Sequence, residues 1–201
     1  HLSIRRQRQM CIRDRPWNID IYGNNISIGK NVHLRTAKNI TTQICAWNRN
    51  NCNGKIEIGD NVLISPGVRI IAADEIIIKS NVMIASNVYI SDSDWHGVYD
   101  RINTPGKSKK VCIEENSWIG EGAKISKGVK IGKNSIIGLG SVVTSNVPNN
   151  EIFYFSTPSM EFQPKKVFRI FGEVFEEPRK NGQHQQLPFH FLPQTDLFGP
   201  Q

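Results

Sequence analysis

The sequence predicts an all-β fold in which six-residue repeats wind a parallel β-helix. Three observations lead to this prediction: a fixed period of six residues, an aliphatic third place in every repeat, and Gly or Asn at most sixth places. Fourteen hexads keep the period; they occupy residues 26–31, 32–37, 56–61, 62–67, 68–73, 76–81, 82–87, 88–93, 111–116, 117–122, 123–128, 129–134, 135–140 and 141–146.

The third place of each hexad predicts the core. Its fourteen residues are Ile28, Leu34, Ile58, Ile64, Ile70, Ile78, Ile84, Ile90, Ile113, Ile119, Ile125, Ile131, Ile137 and Val143. Side chains alternate along a strand, so the first and third places share one face and the second place faces the other way. Small or β-branched residues at the first place, such as Val62 and Ala123, leave room for the larger third-place side chain.

The sixth place predicts sharp corners. It holds Gly or Asn in eleven of the fourteen hexads, the exceptions being Ala37, Ala73 and Ser93. Gly and, less readily, Asn adopt the positive φ that such a corner requires. An amphipathic helix would need a period of 3.6 residues. Three strands and three corners close a triangular coil of about 18 residues, and coils stack at about 4.8 Å.

Two stretches resemble the hexapeptide-repeat acyltransferase family. They are Trp118-Ile119-Gly120-Glu121-Gly122-Ala123-Lys124-Ile125 and Ile137-Gly138-Leu139-Gly140-Ser141-Val142-Val143. The resemblance covers about residues 24–150, and the wording from Asp92 to His96 is similar to the branch of bacterial polysaccharide and maltose/galactoside O-acetyltransferases. It implies a left-handed coil, acetyl-CoA as the acetyl donor, and a homotrimer whose sites lie between neighbouring subunits.

The chain divides into four segments. Residues 1–15 resemble the translation of a transposase sequencing adapter and are set apart from the fold. They carry five Arg and one Asp, and without them the formal charge falls from +7 to +3, which removes the argument for nucleic-acid binding. The β-helix domain spans 16–150 with a protruding loop at 94–110, a short C-terminal cap spans 151–177, and 178–201 is predicted to be a flexible tail.

Three breaks interrupt the repeat. Residues 38–55 predict an irregular coil or a short bulging loop, and two extra residues near Asp74 predict a packing detail at a corner. The long break at 94–110 leaves the coil altogether, and long loops on rigid scaffolds often carry function.

His96 in this long loop is the candidate general base. Asp92, Asp94 and Asp100 surround it in sequence, and an imidazole oriented by a carboxylate can take a proton from a sugar hydroxyl. Which of the three Asp residues orients the ring is left open. By the family resemblance, Asn87 binds the acceptor; Asp92, Asp94 and Arg101 are further acceptor-binding candidates.

The predicted acetyl-CoA site lies along a wall of small residues. By resemblance to the family, the pantetheine arm runs past Trp118, Gly120, Gly122, Ala123, Gly138, Gly140, Ser141 and Thr144, with Lys165 and Lys166 near the phosphates. The sequence after residue 154 departs from the family's usual ending, which weakens the assignment of the two lysines.

Cysteine and histidine usage favours a metal-free protein in a reducing, cytoplasmic compartment. Cys45, Cys52 and Cys112 are an odd number of cysteines, which argues against a disulfide framework, and none of them belongs to a CxxC pair that could bind zinc. A zinc carbonic anhydrase on the same coil would need three His ligands, and the repeat body holds His33 and His96 alone. No apolar run reaches the length of a membrane-spanning helix.

The function predicted from the sequence is an acetyl-CoA-dependent O-acetyltransferase that acts on a sugar hydroxyl of a glycan or glycan precursor. An N-acetyltransferase acting on an aminosugar remains an alternative, because nothing in the loop separates hydroxyl from amine acceptors. A non-catalytic β-helix scaffold is the second alternative.

Overall fold

The computed structural model describes residues 11–13, 16–49, 52–97, 99–104, 106–154 and 168–169. They belong to the first of two compact units, 1–170; the second unit, 171–201, lies outside the described residues. Most of the predicted cap and the whole predicted tail therefore also lie outside them. Apart from a single 3₁₀ turn at Pro16–Asn18, the regular elements of the described residues are all β-strands.

Three parallel sheets form the three faces of the coil. Face A contains β1 (Cys11–Arg13), β4 (His33–Arg35), β9 (Leu63–Ile64), β12 (Met83–Ile84), β15 (Trp118–Ile119), β18 (Ile136–Ile137), β20 (Glu151–Phe153) and β21 (Phe168–Arg169). Face B contains β2 (Ile19–Tyr22), β5 (Thr42–Ala46), β10 (Arg69–Ala72), β13 (Tyr89–Ser91), β16 (Lys124–Ile125) and β19 (Val142–Val143). Face C contains β3 (Ile26–Ile28), β8 (Lys55–Ile58), β11 (Glu75–Ile78), β14 (Val111–Ile113) and β17 (Lys130–Ile131).

The chain visits faces A, B and C in turn, so each strand pairs with strands one coil before and one coil after it. Two pairs are antiparallel: β20 with β21, and β6 (Asn48–Arg49) with β7 (Cys52–Asn53), which form a small hairpin. β1, which lies within residues 1–15, pairs in parallel with β4. The predicted left-handed parallel β-helix is confirmed.

The core is the stack of third-place aliphatic residues. Thirteen of the fourteen are buried. Ile28, which belongs to the first hexad and lies near one end of the stack, is partly buried. The first-place residues fill the space between them, for example Val62, Val82 and Ala123, which are fully buried. Each large aliphatic side chain buried in this way contributes about 1.5–3 kcal/mol. The hexad pattern therefore identifies the core correctly.

The corners use positive φ as predicted. Ten of the eleven sixth-place Gly and Asn residues have it. Asn146 does not; its side-chain Oδ1 instead accepts a hydrogen bond from the backbone N–H of Lys130 at 2.8 Å.

The corner from face C to face A (the C–A corner) carries an asparagine ladder. Its members all have φ between 54° and 61°: Asn31, Asn61, Asn81, Asn116, Asn134 and Asn150. Four amide-to-amide hydrogen bonds of 2.8–3.2 Å join neighbours along it. These amide bonds thus connect the corners of successive coils along most of the ladder.

The break at 38–55 is more regular than the sequence predicts. Thr42–Ala46 forms β5, a full strand of face B. The corner before it is longer than the same corner of the next coil, with an antiparallel bridge between Ala37 and Ile40, and the hairpin β6–β7 bulges from the coil after it. The hexad rule misses β5 because no Gly or Asn ends it. Gly54 closes the hairpin, since its N–H donates to the Trp47 carbonyl at 3.0 Å and a Cβ there would lie 2.5 Å from the Ala72 carbonyl oxygen.

Candidate active site

Three departures from the repeat leave the coil at one corner, the corner from face B to face C (the B–C corner). The hairpin β6–β7 follows β5, the two extra residues near Asp74 follow β10, and the loop at 94–110 follows β13. Because β5, β10 and β13 are neighbours on face B, the three interruptions stack along one edge of the coil.

Asp92 anchors the loop to the coil. Its side chain is fully buried, and its two carboxylate oxygens accept the backbone N–H groups of Ala73 and Asp74, each at 2.8 Å. Its backbone carbonyl accepts the N–H of Lys109 at 2.8 Å, which ties the returning strand of the loop to the departing one. Burial raises the pKa of the Asp92 carboxyl, and the two backbone N–H groups partly oppose that shift.

The loop has its own hydrogen-bonded structure. The N–H of Asp94 donates to the Lys107 carbonyl at 3.2 Å, and the N–H of Gly97 donates to the Thr104 carbonyl at 2.9 Å. At the tip, Asp100 accepts the N–H groups of Asn103 and Ile102 at 2.9 and 3.2 Å. These bonds, with the Asn103 backbone first, lower the pKa of the Asp100 carboxyl. The loop is therefore a defined β-like excursion.

His96 lies exposed on this loop with one ring nitrogen fixed. Its Nδ1 is 3.1 Å from the backbone carbonyl oxygen of Arg101. A carbonyl only accepts hydrogen bonds, so Nδ1 carries the proton, and Nε2 of the neutral ring is left as the acceptor. This tautomer is the one a general base needs.

The expectation that a carboxylate orients His96 is corrected by these contacts. Asp92 binds the backbone of Ala73 and Asp74, Asp100 binds the loop tip, and Asp94 forms an ion pair with Lys127 of the next coil. The orienting group is the Arg101 backbone, which no side-chain pattern in the sequence could have indicated.

The backbone around His96 is tightly confined. Trp95 has φ of 65°, a conformation that is costly for a bulky residue. Its indole N–H donates to the Ser91 hydroxyl at 3.2 Å, which holds the ring against face B. A Cβ on Gly106 would lie 2.5 Å from the Trp95 backbone nitrogen and 2.6 Å from that of His96. Gly106 therefore permits the close approach that fixes His96.

Asn87 lies away from the loop, at the corner from face A to face B (the A–B corner). It precedes β13, whereas His96 follows it, so the two residues occupy opposite edges of face B. Its φ is 60°, and its Oδ1 lies where a Cβ on Gly67 would approach to 2.4 Å. The side chain is exposed.

Six of the eight residues predicted to hold the pantetheine arm occupy this same A–B corner in two successive coils, whereas Trp118 lies on face A and Thr144 follows β19 of face B. Gly122 and Gly140 both have φ of 67°, and a Cβ added to either would meet nothing within 4 Å, so the surface there is low and open. Gly120 and Gly138 are small for a different reason, because a Cβ would collide with the Ile137 carbonyl and with Tyr154.

The remaining predicted cofactor residues differ in exposure. Trp118 on face A is 44% exposed, and Thr144 is exposed, whereas Ala123 and Ser141 are fully buried. The last two can meet a ligand through their backbones alone. Lys165 and Lys166 lie outside the described residues.

Two further features concern metals and membranes. In the described part of the chain, no group of three or more His, Cys, Asp or Glu side chains is arranged to hold a metal ion. No helix within the described ranges has the length and apolar character needed to cross a bilayer.

Comparison with known proteins agrees with the repeat. Residues 113–145 match the family model described as bacterial transferase hexapeptide (six repeats). This match covers part of the coil only, and it agrees with the left-handed parallel β-helix that the structure shows. No curated protein sequence matches the chain.

Among solved structures, the chain is similar to several acyltransferases. The N-acyltransferase AntD from Bacillus cereus, solved with dTDP and coenzyme A, is 20% identical with a TM-score of 0.55, over 74% of this chain and 78% of that one. A galactoside acetyltransferase solved with coenzyme A is 28% identical with a TM-score of 0.49, over 75% of this chain and 64% of that one. A maltose O-acetyltransferase from Clostridium difficile is 24% identical with a TM-score of 0.45, over 82% and 70%. The chain thus spans less than two thirds of the galactoside acetyltransferase.

Proposed function

We propose that this protein is an acetyl-CoA-dependent O-acetyltransferase that acylates a sugar hydroxyl of a glycan or glycan precursor. One observation carries the proposal: on a coil that matches the transferase hexapeptide, a structured loop presents His96 with Nδ1 bound at 3.1 Å to the Arg101 carbonyl and the ring exposed. A non-catalytic scaffold would not need such a fixed imidazole.

The reaction follows from the free Nε2 of His96. Nε2 takes the proton of the acceptor hydroxyl while that oxygen attacks the thioester carbonyl of acetyl-CoA. The tetrahedral intermediate then collapses, the C–S bond breaks, and the imidazolium returns the proton to the CoA thiolate. A base of this kind typically contributes about 10²–10⁴ to the rate.

The acceptor-binding assignment changes for one residue. Asp94, Arg101 and Asn87 are exposed and remain the proposed acceptor contacts. Asp92 is buried with both oxygens engaged, so an acceptor at the surface does not reach its carboxylate. We assign Asp92 the role of positioning the loop that carries His96.

The proposed donor site is the low A–B corner. Acetyl-CoA carries an extended pantetheine arm, which fits the open surface over Gly122 and Gly140. Trp118 offers an exposed ring on the adjoining face A. Lys165 and Lys166 remain proposed contacts for the CoA phosphates.

A homotrimer with shared sites is part of this proposal. The donor corner and His96 lie at opposite edges of face B within one chain. A complete site therefore needs the donor corner of one chain and the His96 of another. Face A presents a column of outward apolar side chains that a second copy can cover: Leu63, Met83, Trp118, Ile136 and Ile152. A monomer by light scattering at micromolar concentration contradicts this part.

The test is release of the CoA thiol from acetyl-CoA against a panel of sugars and aminosugars. We expect transfer to hydroxyl acceptors, and a loss of about 10²–10⁴ in kcat/KM for His96→Ala. Glu57→Gln, a change of a half-buried side chain on face C, away from both corners of face B, serves as the control with unchanged activity. Transfer to amines but not to hydroxyls overturns the O-acetyl assignment, and full activity in His96→Ala overturns the role of His96.

A further inference from the structure

A row of outward side chains follows the edge of face B beside the B–C corner. Strand register places Tyr22, Cys45, Ile71 and Ser91 in successive coils at the same position. Neighbouring strands are about 4.8 Å apart, so the row from Tyr22 to Ser91 spans about 14 Å. We call this row, with Trp47 and Trp95, the aromatic strip.

One end of the strip is an exposed aromatic pair. The rings of Tyr22 and Trp47 have centroids 5.2 Å apart and are tilted by 46°. Tyr22 is 56% exposed and Trp47 is 43% exposed. The Trp47 backbone is fixed on both sides, since its N–H donates to the Ala72 carbonyl at 2.8 Å and its carbonyl accepts the N–H of Gly54 at 3.0 Å. The pair is therefore a rigid platform rather than a mobile side chain.

The other end of the strip is the base of the active-site loop. The Trp95 indole lies against face B through its 3.2 Å bond to the Ser91 hydroxyl, and the next residue is His96. The strip thus joins His96 to the aromatic platform through uncharged side chains, of which Cys45 and Ser91 are buried and Ile71 is half-buried.

The rim of the strip is polar. Asn24, Asn48, Asn53 and Asp74 all lie at the B–C corner, and all are exposed. Amide and carboxylate groups can donate to and accept from sugar hydroxyls, while aromatic faces cover the apolar C–H side of a sugar ring.

We propose that the aromatic strip is a subsite for the distal sugars of an extended glycan acceptor whose reacting end lies at His96. The proposal rests on the proposed function. The span of about 14 Å leaves room for more than one sugar unit laid across the coils. Binding energy gained at Tyr22 and Trp47 then positions the reacting sugar, so long acceptors outperform monosaccharides.

The test uses glucose, maltotriose, maltohexaose and chitotetraose as probes with the full chain. Trp47→Ala and Tyr22→Ala remove the platform, and Trp17→Ala is the matched control, since Trp17 is 76% exposed and precedes the opposite end of β2. Binding is measured by isothermal titration without acetyl-CoA, and transfer is measured separately as kcat and KM. Far-UV circular dichroism checks that each variant is folded.

We expect at least one oligosaccharide to bind more tightly than glucose, and Trp47→Ala and Tyr22→Ala to weaken it about tenfold. Trp17→Ala keeps wild-type affinity. The proposal is overturned if no oligosaccharide binds, if Trp47→Ala and Tyr22→Ala bind as wild type, or if Trp17→Ala weakens binding equally. A change of oligomeric mass in Trp47→Ala overturns it as well, because the platform would then face a second copy.

The two proposals fail in different ways. If oligosaccharide binding depends on Trp47 but no acetyl transfer is detected, the glycan subsite is supported and the proposed reaction is contradicted. Transfer to glucose that is lost in His96→Ala, with no effect of Trp47→Ala on maltohexaose, removes the subsite alone.

Discussion

Two corners of the same coil have opposite characters. At the C–A corner, six asparagines repeat one conformation, and amide hydrogen bonds connect most of them. At the B–C corner, a hairpin, two extra residues and a loop leave the coil in three successive turns. The difference between them shows that the repeat itself needs one uniform corner, while the other corner is free to vary and carries the candidate chemistry.

The physical reason lies in how the polar groups of each corner are hydrogen-bonded. An insertion at the C–A corner would displace an asparagine from its partners above and below. At the B–C corner, the excursions supply their own hydrogen bonds, such as the two N–H groups that Asp92 accepts. Insertions there leave the flanking strands paired.

Asp92→Ala should have the largest effect on stability at the B–C corner. It leaves the buried N–H group of Ala73 and the partly buried N–H group of Asp74 without their acceptor, and each such loss costs about 1–3 kcal/mol. Removal of a desolvated carboxylate offsets part of this, so we expect about 2–4 kcal/mol less free energy of unfolding in urea.

Asp94→Ala is the control for that measurement. Asp94 is exposed and pairs with Lys127 at the surface, so its loss should cost well under about 1 kcal/mol. Equal destabilisation by the two variants would show that Asp92 has no special anchoring role.

Gly106→Ala should reduce activity more than stability. A Cβ there would lie 2.5–2.6 Å from the backbone nitrogens of Trp95 and His96, so His96 must shift. A displacement of about 1 Å in a catalytic group can cost about 10²-fold in rate, and we expect a fall of about 10–100-fold in kcat/KM. Ile102→Ala at the exposed loop tip is the control and should keep wild-type kcat/KM. A wild-type kcat/KM in Gly106→Ala would refute the packing argument.

Asn134→Ala tests the asparagine ladder. Asn134 has φ of 56° and its amide lies between Asn116 at 3.0 Å and Asn150 at 2.8 Å. The positive φ and the lost amide bonds together should cost about 2 kcal/mol of unfolding free energy. Asn134→Gly keeps the backbone conformation and should cost about 1 kcal/mol. If Gly and Ala destabilise equally, φ contributes nothing at this corner.

Glu75→Gln should have the smallest effect. Hydrogen bonding to Lys110, and then to Lys55, lowers the pKa of Glu75, so its contribution is present above the unfolded-state pKa and is lost as pH falls through the folded-state value. Solvent screening of this face C ion pair limits the loss to about 0.5 kcal/mol at neutral pH. Thermal unfolding of wild type and Glu75→Gln should converge in acid; a difference that persists below the folded-state pKa contradicts this account.

The sequence predicts the coil better than the site. Third-place residues such as Ile84 and Ile119 are fully buried because a strict period of six turns each third place toward the interior of the coil. The anchoring by Asp92 had a signal that was missed: Ala73 and Ser93, two of the three exceptions at the sixth place, lie one coil apart at the B–C corner. The contact of the Arg101 carbonyl with His96 had no signal in the sequence, because backbone contacts within an irregular loop depend on its three-dimensional conformation.

The most direct test of the difference between the corners measures both kcat/KM for acetyl transfer and the free energy of unfolding in His96→Ala and Asn134→Ala. The predicted result is crossed: His96→Ala loses at least about 10² in kcat/KM at wild-type stability, and Asn134→Ala loses about 2 kcal/mol of stability at wild-type kcat/KM. Full acetyl transfer by His96→Ala would contradict the account.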